Sequence, residues 1–137
     1  MMTQNFVNNI AYKIVGCAIE VHKHIGPGLL ESVYEECLIE EMKKANLDVQ
    51  SQLYVPVIYK GKTLKGSLKL DLLVENVVIV ELKAVETMIP LFKAQLVSYL
   101  KLTNKPKGLL INFHCENITS NLVSLVTEEF SKLPKEN

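Results

Sequence analysis

The chain has 137 residues and a mass of 15.4 kDa, the size of one ordinary domain, and is expected to fold as a single unit over residues 1–137. With 48% hydrophobic and 22% charged residues it has a globular rather than a disordered composition, and no apolar run approaches the ~20 residues that span a bilayer. The formal net charge is zero but unevenly spread: residues 1–50 hold 4 Lys against 7 acids, residues 51–107 hold 9 against 4, and residues 108–137 hold 2 against 4. Only the middle segment is therefore suited to a polyanion.

All 15 basic residues are Lys. Lys is a point charge suited to phosphate, whereas Arg is the usual bidentate reader of guanine, so any nucleic acid, DNA first, is expected to be held through its backbone. The first residues, Met1-Met2-Thr3-Gln4-Asn5, lack the basic-then-apolar pattern of a secretory leader. Cys17, Cys37 and Cys115 form no CxxC pair, which speaks against zinc or a disulfide framework and for free thiols in the cytoplasm.

In chain order, Val7, Ile10, Ala11, Ile14, Ala18, Val21 and Ile25 recur at steps of three and four and predict a helix over 5–25, stopped by Gly26-Pro27-Gly28. A second helix is expected over 30–45, with Val33, Tyr34, Cys37, Leu38 and Met42 as its apolar stripe. The period then changes to two, predicting strands over 52–59, 64–74 and 77–83, with turns at Lys60-Gly61-Lys62 and Glu75-Asn76. Pro90 opens a third helix through about residue 102, and the almost wholly apolar run over 108–113 reads as a strand buried on both faces. A closing helix is expected over 119–132, with frayed ends at about 1–4 and 133–137. The order α-α-β-β-β-α-β-α predicts an α/β (α+β) domain with a mixed four-stranded sheet flanked by helices.

The informative segment is Asp71 on one strand and Glu81-Leu82-Lys83 on the next. Glu81 and Lys83 are two apart and share a face. Ionisable groups among buried strand residues are costly unless they are paired or bind something, and two neighbouring carboxylates repel unless a cation lies between them. Hard divalent cations take such oxygen ligands, and a nearby lysine can orient water or steady a developing phosphoryl charge. The competing structural reading pairs Asp71 and Glu81 with Lys69 and Lys83 as salt bridges. For the carboxylates to share a face, the hairpin must be one residue out of the two-residue-turn register: an odd loop centred on Asn76, pairing Val74 with Val78 and Asp71 with Glu81, does this, and a bulge would serve equally well. Two helices add candidates. Glu31 lies on the same helical face as Tyr34 and Leu38, and Gln95 and Tyr99 are four apart on the third helix. His22 is expected to be a packed, hydrogen-bonded histidine.

Gly28-x-x-Glu31-x-x-Tyr34 resembles the signature of the GxxExxY proteins, within the PD-(D/E)XK nuclease superfamily. Ile19 to Lys23, Asp71 to Val74, Val80 to Ala84, Gln95 to Lys101 and Gly108 to Phe113 extend the resemblance over nearly the whole chain. It implies a restriction-endonuclease-like fold, with Asp71, Glu81 and Glu31 as ligands of Mg2+ (or Mn2+), Lys83 as the catalytic lysine, and Gln95 and Tyr99 as further site residues. Two positions depart from the family pattern: Lys69 stands in place of an arginine and Phe92 in place of a histidine. The function implied is divalent-metal-dependent hydrolysis of DNA. A non-catalytic nucleic-acid- or protein-binding module with the same fold is the main alternative, and a hydrolase of smaller phosphate esters a third. The small size leaves room for self-association or a partner protein.

Overall fold

The computed structural model describes residues 2–136. Helix α1 (Gln4–Ile25) starts at Thr3, whose hydroxyl accepts from Phe6 N–H at 3.0 Å, and ends at Gly26, where φ is +67°. Helix α2 (Glu31–Lys44) follows, then strands β1 (Val49–Tyr59), β2 (Lys62–Val74) and β3 (Val78–Lys83). Helix α3 (Pro90–Thr103) crosses over to β4 (Lys107–Asn112). A 3-10 turn (Ile118–Asn121), strand β5 (Val123–Val126) and the one-turn helix α4 (Glu128–Ser131) close the chain.

The sheet is mixed, in the order β1-β2-β3-β4-β5, with β3 and β4 parallel and the other neighbours antiparallel. Helices α1 and α2 cover one face through Ile14, Leu38, Leu72, Val80 and Ile111. Helix α3 covers the other through Leu96 and Leu100, packed on Leu73, Ile79 and Leu110. Leu109 and Leu110 belong to opposite clusters, so β4 is buried on both faces as its apolar run predicts.

The sheet has five strands rather than four, because the segment 119–132, expected as one closing helix, instead forms the end of a 3-10 turn, strand β5 and the one-turn helix α4. Val123 and Leu125 turn inward while Ser124 and Val126 face outward, a period of two that completes the otherwise open edge of β4. The two ends of the described chain meet. Gln4 N–H donates to Pro134 C=O at 2.7 Å and Asn5 N–H to Lys135 C=O at 3.2 Å, while the Gln4 amide reaches the carbonyls of Phe130 and Leu133. Met1 and Asn137, part of those expected frayed ends, lie outside the described residues. No helix of the described residues is long and apolar enough to cross a membrane.

Candidate nuclease site

The β2–β3 hairpin sets the register on which the site depends. Val74 pairs with Val78, Leu73 with Ile79 and Leu72 with Val80. Glu75 and Asn76 take φ of +53° and +57°, and Val77 N–H returns to Val74 C=O at 3.0 Å. This is an odd loop that brings Asp71 opposite Glu81, and its left-handed positions fall on Glu75 and on Asn76, of which the Asn tolerates that region better than most residues.

Beyond Leu72–Val80 the regular ladder stops and side chains replace it. Asp71 N–H donates to Glu81 Oε2 at 3.0 Å, and Leu82 N–H donates to Asp71 Oδ2 at 2.9 Å. Each carboxylate thus reaches across the parting strands to a backbone donor beside the other. On the opposite side of β2, Ser51–Leu72 and Leu53–Leu70 are paired, with Gln52 between them at φ +49°. Leu70 and Leu72 pack in different core clusters, so the in-out alternation breaks at Asp71. That break leaves Asp71 half-buried, between the two core layers.

Burial is the main electrostatic force on the pair. Glu81 is only 5% exposed, and burial, followed by the charge of Asp71, pushes its pKa up to about 8. Burial also raises Asp71, opposed by the Leu82 hydrogen bond and by Lys83 and Lys69. The salt-bridge alternative is not realised: among the described residues the ion pairs are Glu20–His24, Glu41–Lys44 and Glu129–Lys132, none involving Asp71 or Glu81. Lys83 instead holds its ammonium 4.4 Å from the ring centroid of Phe92.

Glu31 opens α2 at the rim. Burial and then Asp71 raise its pKa, so it lies within the electrostatic field of the pair. It is held there by the residue three positions on. Tyr34 is fully buried and stacked on Phe113 at 4.6 Å, its hydroxyl donating to Gly26 C=O at 2.5 Å and accepting from Leu29 N–H at 3.2 Å. With Gly28 at φ +99°, this pins the loop from which α2 starts. On the other side, Gln95 Nε2 donates to Tyr99 Oη at 2.9 Å. Burial and the negative charge of Glu81 raise the Tyr99 phenol, which places α3 close to the pair.

Two open clefts flank the carboxylates. One, of about 350 Å3, is lined by Glu31, Ser32, Glu35, Gln52, Lys69 and Asp71. The other, of about 470 Å3, is lined by Lys83, Phe92, Gln95 and Ser98 among others. A cavity between α3 and β5 includes none of these carboxylates. Glu35, outside the apolar stripe of α2, joins the first cleft and accepts from Gln52 Nε2 at 2.5 Å. Its position four residues after Glu31, hence on the same helical face, is the signal that identifies it. Asn112 was also missed. It is buried and grips Val85 through both its amide atoms, fixing the chain just after Lys83. His22 is hydrogen-bonded as expected, to Cys115 C=O at 2.7 Å, and the three cysteines are free.

The donor set suits a divalent cation. Asp71 and Glu81 offer two hard oxygen ligands whose mutual repulsion a cation would relieve. Among the described residues no three His, Cys, Asp or Glu side chains converge closely enough to hold a metal by themselves. Mg2+ commonly needs only one or two protein carboxylates, completing its shell with water and substrate phosphate.

The profile of the PD-(D/E)XK nuclease superfamily matches residues 8–123, and the chain belongs to that superfamily. No curated protein matches it. Among solved structures, the crystal structure of SSO0001 superposes with a TM-score of 0.52 at 20% sequence identity, over 77% of this chain and 52% of that one. This likeness is one of fold, and the chain spans about half the length of that structure.

Proposed function

We propose that the chain is a divalent-metal-dependent nuclease that hydrolyses phosphodiester bonds of DNA, a member of the GxxExxY group acting in the cytoplasm. The observation that supports it best is the crossed pair of backbone-to-carboxylate bonds at Asp71 and Glu81, which leaves two carboxylates side by side without an ion pair. Asp71 and Glu81 are the residues proposed to hold Mg2+ or Mn2+, with Glu31 contributing negative charge from the rim of α2 rather than a converging third ligand. When bound, the cation supplies Lewis-acid activation of the scissile phosphate. Lys83 is the catalytic lysine. Its ammonium, lodged on Phe92 rather than on a carboxylate, remains available to orient the attacking water or to steady charge on the phosphoryl oxygens. Gln95 and Tyr99, linked to each other, offer hydrogen bonds to a phosphate oxygen at the α3 side of the site.

The test combines calorimetric metal binding with cleavage of plasmid and oligonucleotide DNA. Wild type is expected to bind Mg2+ or Mn2+ and to cleave. Lys83→Ala should bind metal but lose at least 100-fold in rate, on the order expected for a positioned acid–base or electrostatic group. Asp71→Ala and Glu81→Ala should lose both. Equal cleavage by wild type and Lys83→Ala would remove the lysine from the mechanism. Absence of metal binding at millimolar concentrations would favour a non-catalytic binding module.

A further inference from the structure

The β1–β2 hairpin extends beyond the layers of helix that cover the sheet. Every residue from 58 to 67 is exposed. Between Asp48 and Asp71 the chain carries Lys60, Lys62, Lys65 and Lys69 and no acidic residue. Large apolar groups also face water there: Tyr54 is 63% exposed, Ile58 60% and Tyr59 59%. Such residues clustered on a charged arm are unusual for a merely solvated surface.

The tyrosines and lysines occur as pairs. Lys60 Nζ lies 5.4 Å from the Tyr59 ring centroid, and Lys69 Nζ lies 5.9 Å from that of Tyr54, its cross-strand neighbour. Each ring thus has a cation beside it, and the second pair leads into the site because Lys69 also lines the cleft of Asp71 and Glu31. Aromatic platforms alternating with cations match a polynucleotide whose bases are unpaired: bases stack on the rings and phosphates meet the ammonium groups. A duplex hides its base faces, and an arm without Arg has little means to read its grooves. Addition of a protein strand to the free edge of β1 is disfavoured by Pro56, which offers no N–H, and by the unopposed positive charge.

We propose that the β1–β2 arm is a binding surface for single-stranded nucleic acid, with Tyr54 and Tyr59 as stacking platforms and Lys60, Lys62, Lys65 and Lys69 as phosphate contacts. The arm deepens the nuclease reading by naming the strandedness of its polymer, and rests on that reading only for delivery of the strand to the Asp71 cleft.

The test is fluorescence anisotropy in chelator, with the full chain and labelled probes of about 12 nucleotides: oligo(dT), oligo(rU) and a DNA duplex. Tighter binding of either single strand than of the duplex is expected, and the ratio of oligo(dT) to oligo(rU) affinity identifies the preferred sugar. Tyr54→Ala combined with Tyr59→Ala should weaken single-strand binding about fivefold or more while leaving duplex binding nearly unchanged. The chain contains no Trp, so its intrinsic emission is that of tyrosine, and stacking should quench it in wild type but much less in the double variant. Single-strand binding unchanged in a folded double variant, or a duplex bound as tightly as either single strand, would overturn the proposal. The two readings fail separately. Single-strand binding without cleavage in Mg2+ would retain the arm and lose the nuclease, whereas cleavage with arm variants that bind like wild type would do the reverse.

Discussion

At the scale of single residues, Glu81 carries the clearest energetic signature. In the unfolded chain its carboxyl titrates at about 4.3, and burial and Asp71 move it to about 8 in the fold. The folded, cation-free state therefore retains a proton that the unfolded chain has already released. Its contribution to stability is complete below about pH 4, declines as pH rises and is lost by about pH 8. Thermal melts in chelator between about pH 5 and 8.5 should show Tm falling with pH, and Glu81→Gln should flatten that dependence. Added Mg2+ should raise Tm more at pH 8 than at pH 6, because binding at the lower pH must first displace the proton. Tyr34 makes a second prediction. Tyr34→Phe keeps the stack on Phe113 but removes the hydroxyl that joins Gly26 C=O to Leu29 N–H. A loss of roughly 1 kcal/mol is expected from chemical denaturation, with a larger fall in cleavage than in metal-independent binding, because the start of α2 and hence Glu31 is loosened.

At the scale of elements, the site lies where two strands part and a helix closes over them. Helix α3 carries Gln95 and Tyr99, and its distance from the sheet is set by Gly108 on β4. A Cβ at Gly108 would meet Leu96 Cδ1 at 2.8 Å and the Leu100 methyls at 3.1 and 3.2 Å. The ends of these leucines can shift, so Gly108→Ala should fold, at a cost of about 1–3 kcal/mol, and lift α3 from the sheet. The expected outcome is a lower Tm and reduced cleavage with metal affinity largely retained, since the carboxylates belong to β2 and β3. Loss of metal binding in proportion to cleavage would show that α3 helps to hold the carboxylates themselves.

For the whole molecule, charge is segregated by position rather than by total. The excess acids of the first 50 and the last 30 residues together balance the excess lysines of the middle segment, so a net charge of zero conceals a basic arm. Nucleic-acid affinity should therefore fall steeply with salt despite the neutral total. Each phosphate-contacting Lys replaced by Ala should lower the log–log slope by about 0.9 on duplex DNA and about 0.7 on single strands. Titrations of wild type and Lys60→Ala, Lys65→Ala and Lys132→Ala at several salt concentrations would measure this. Lys132, outside the basic segment and beside Glu129, should leave the slope unchanged.

The local periodicities of the sequence were sufficient for α1, α2, α3 and the two strands that carry the site. The spacing of Asp71, Glu81 and Lys83 even called for a one-residue shift in the hairpin, because with period-two geometry the carboxylates meet only through an odd loop or a bulge. Glu31, Gln95 and Tyr99 were legible as members of helix faces, and the resemblance to a nuclease family named their roles. Tertiary structure alone decided the rest. Residues 123–126 follow the edge of β4 rather than a helical preference, because pairing there satisfies backbone groups that no local pattern can represent. The crossed bonds at Asp71 and Glu81, the placement of Lys83 on Phe92, and the projection of the β1–β2 hairpin depend on which surfaces the helices cover. Those contacts join residues far apart in the chain, and sequence periodicity describes only the face a residue presents, not what meets it there.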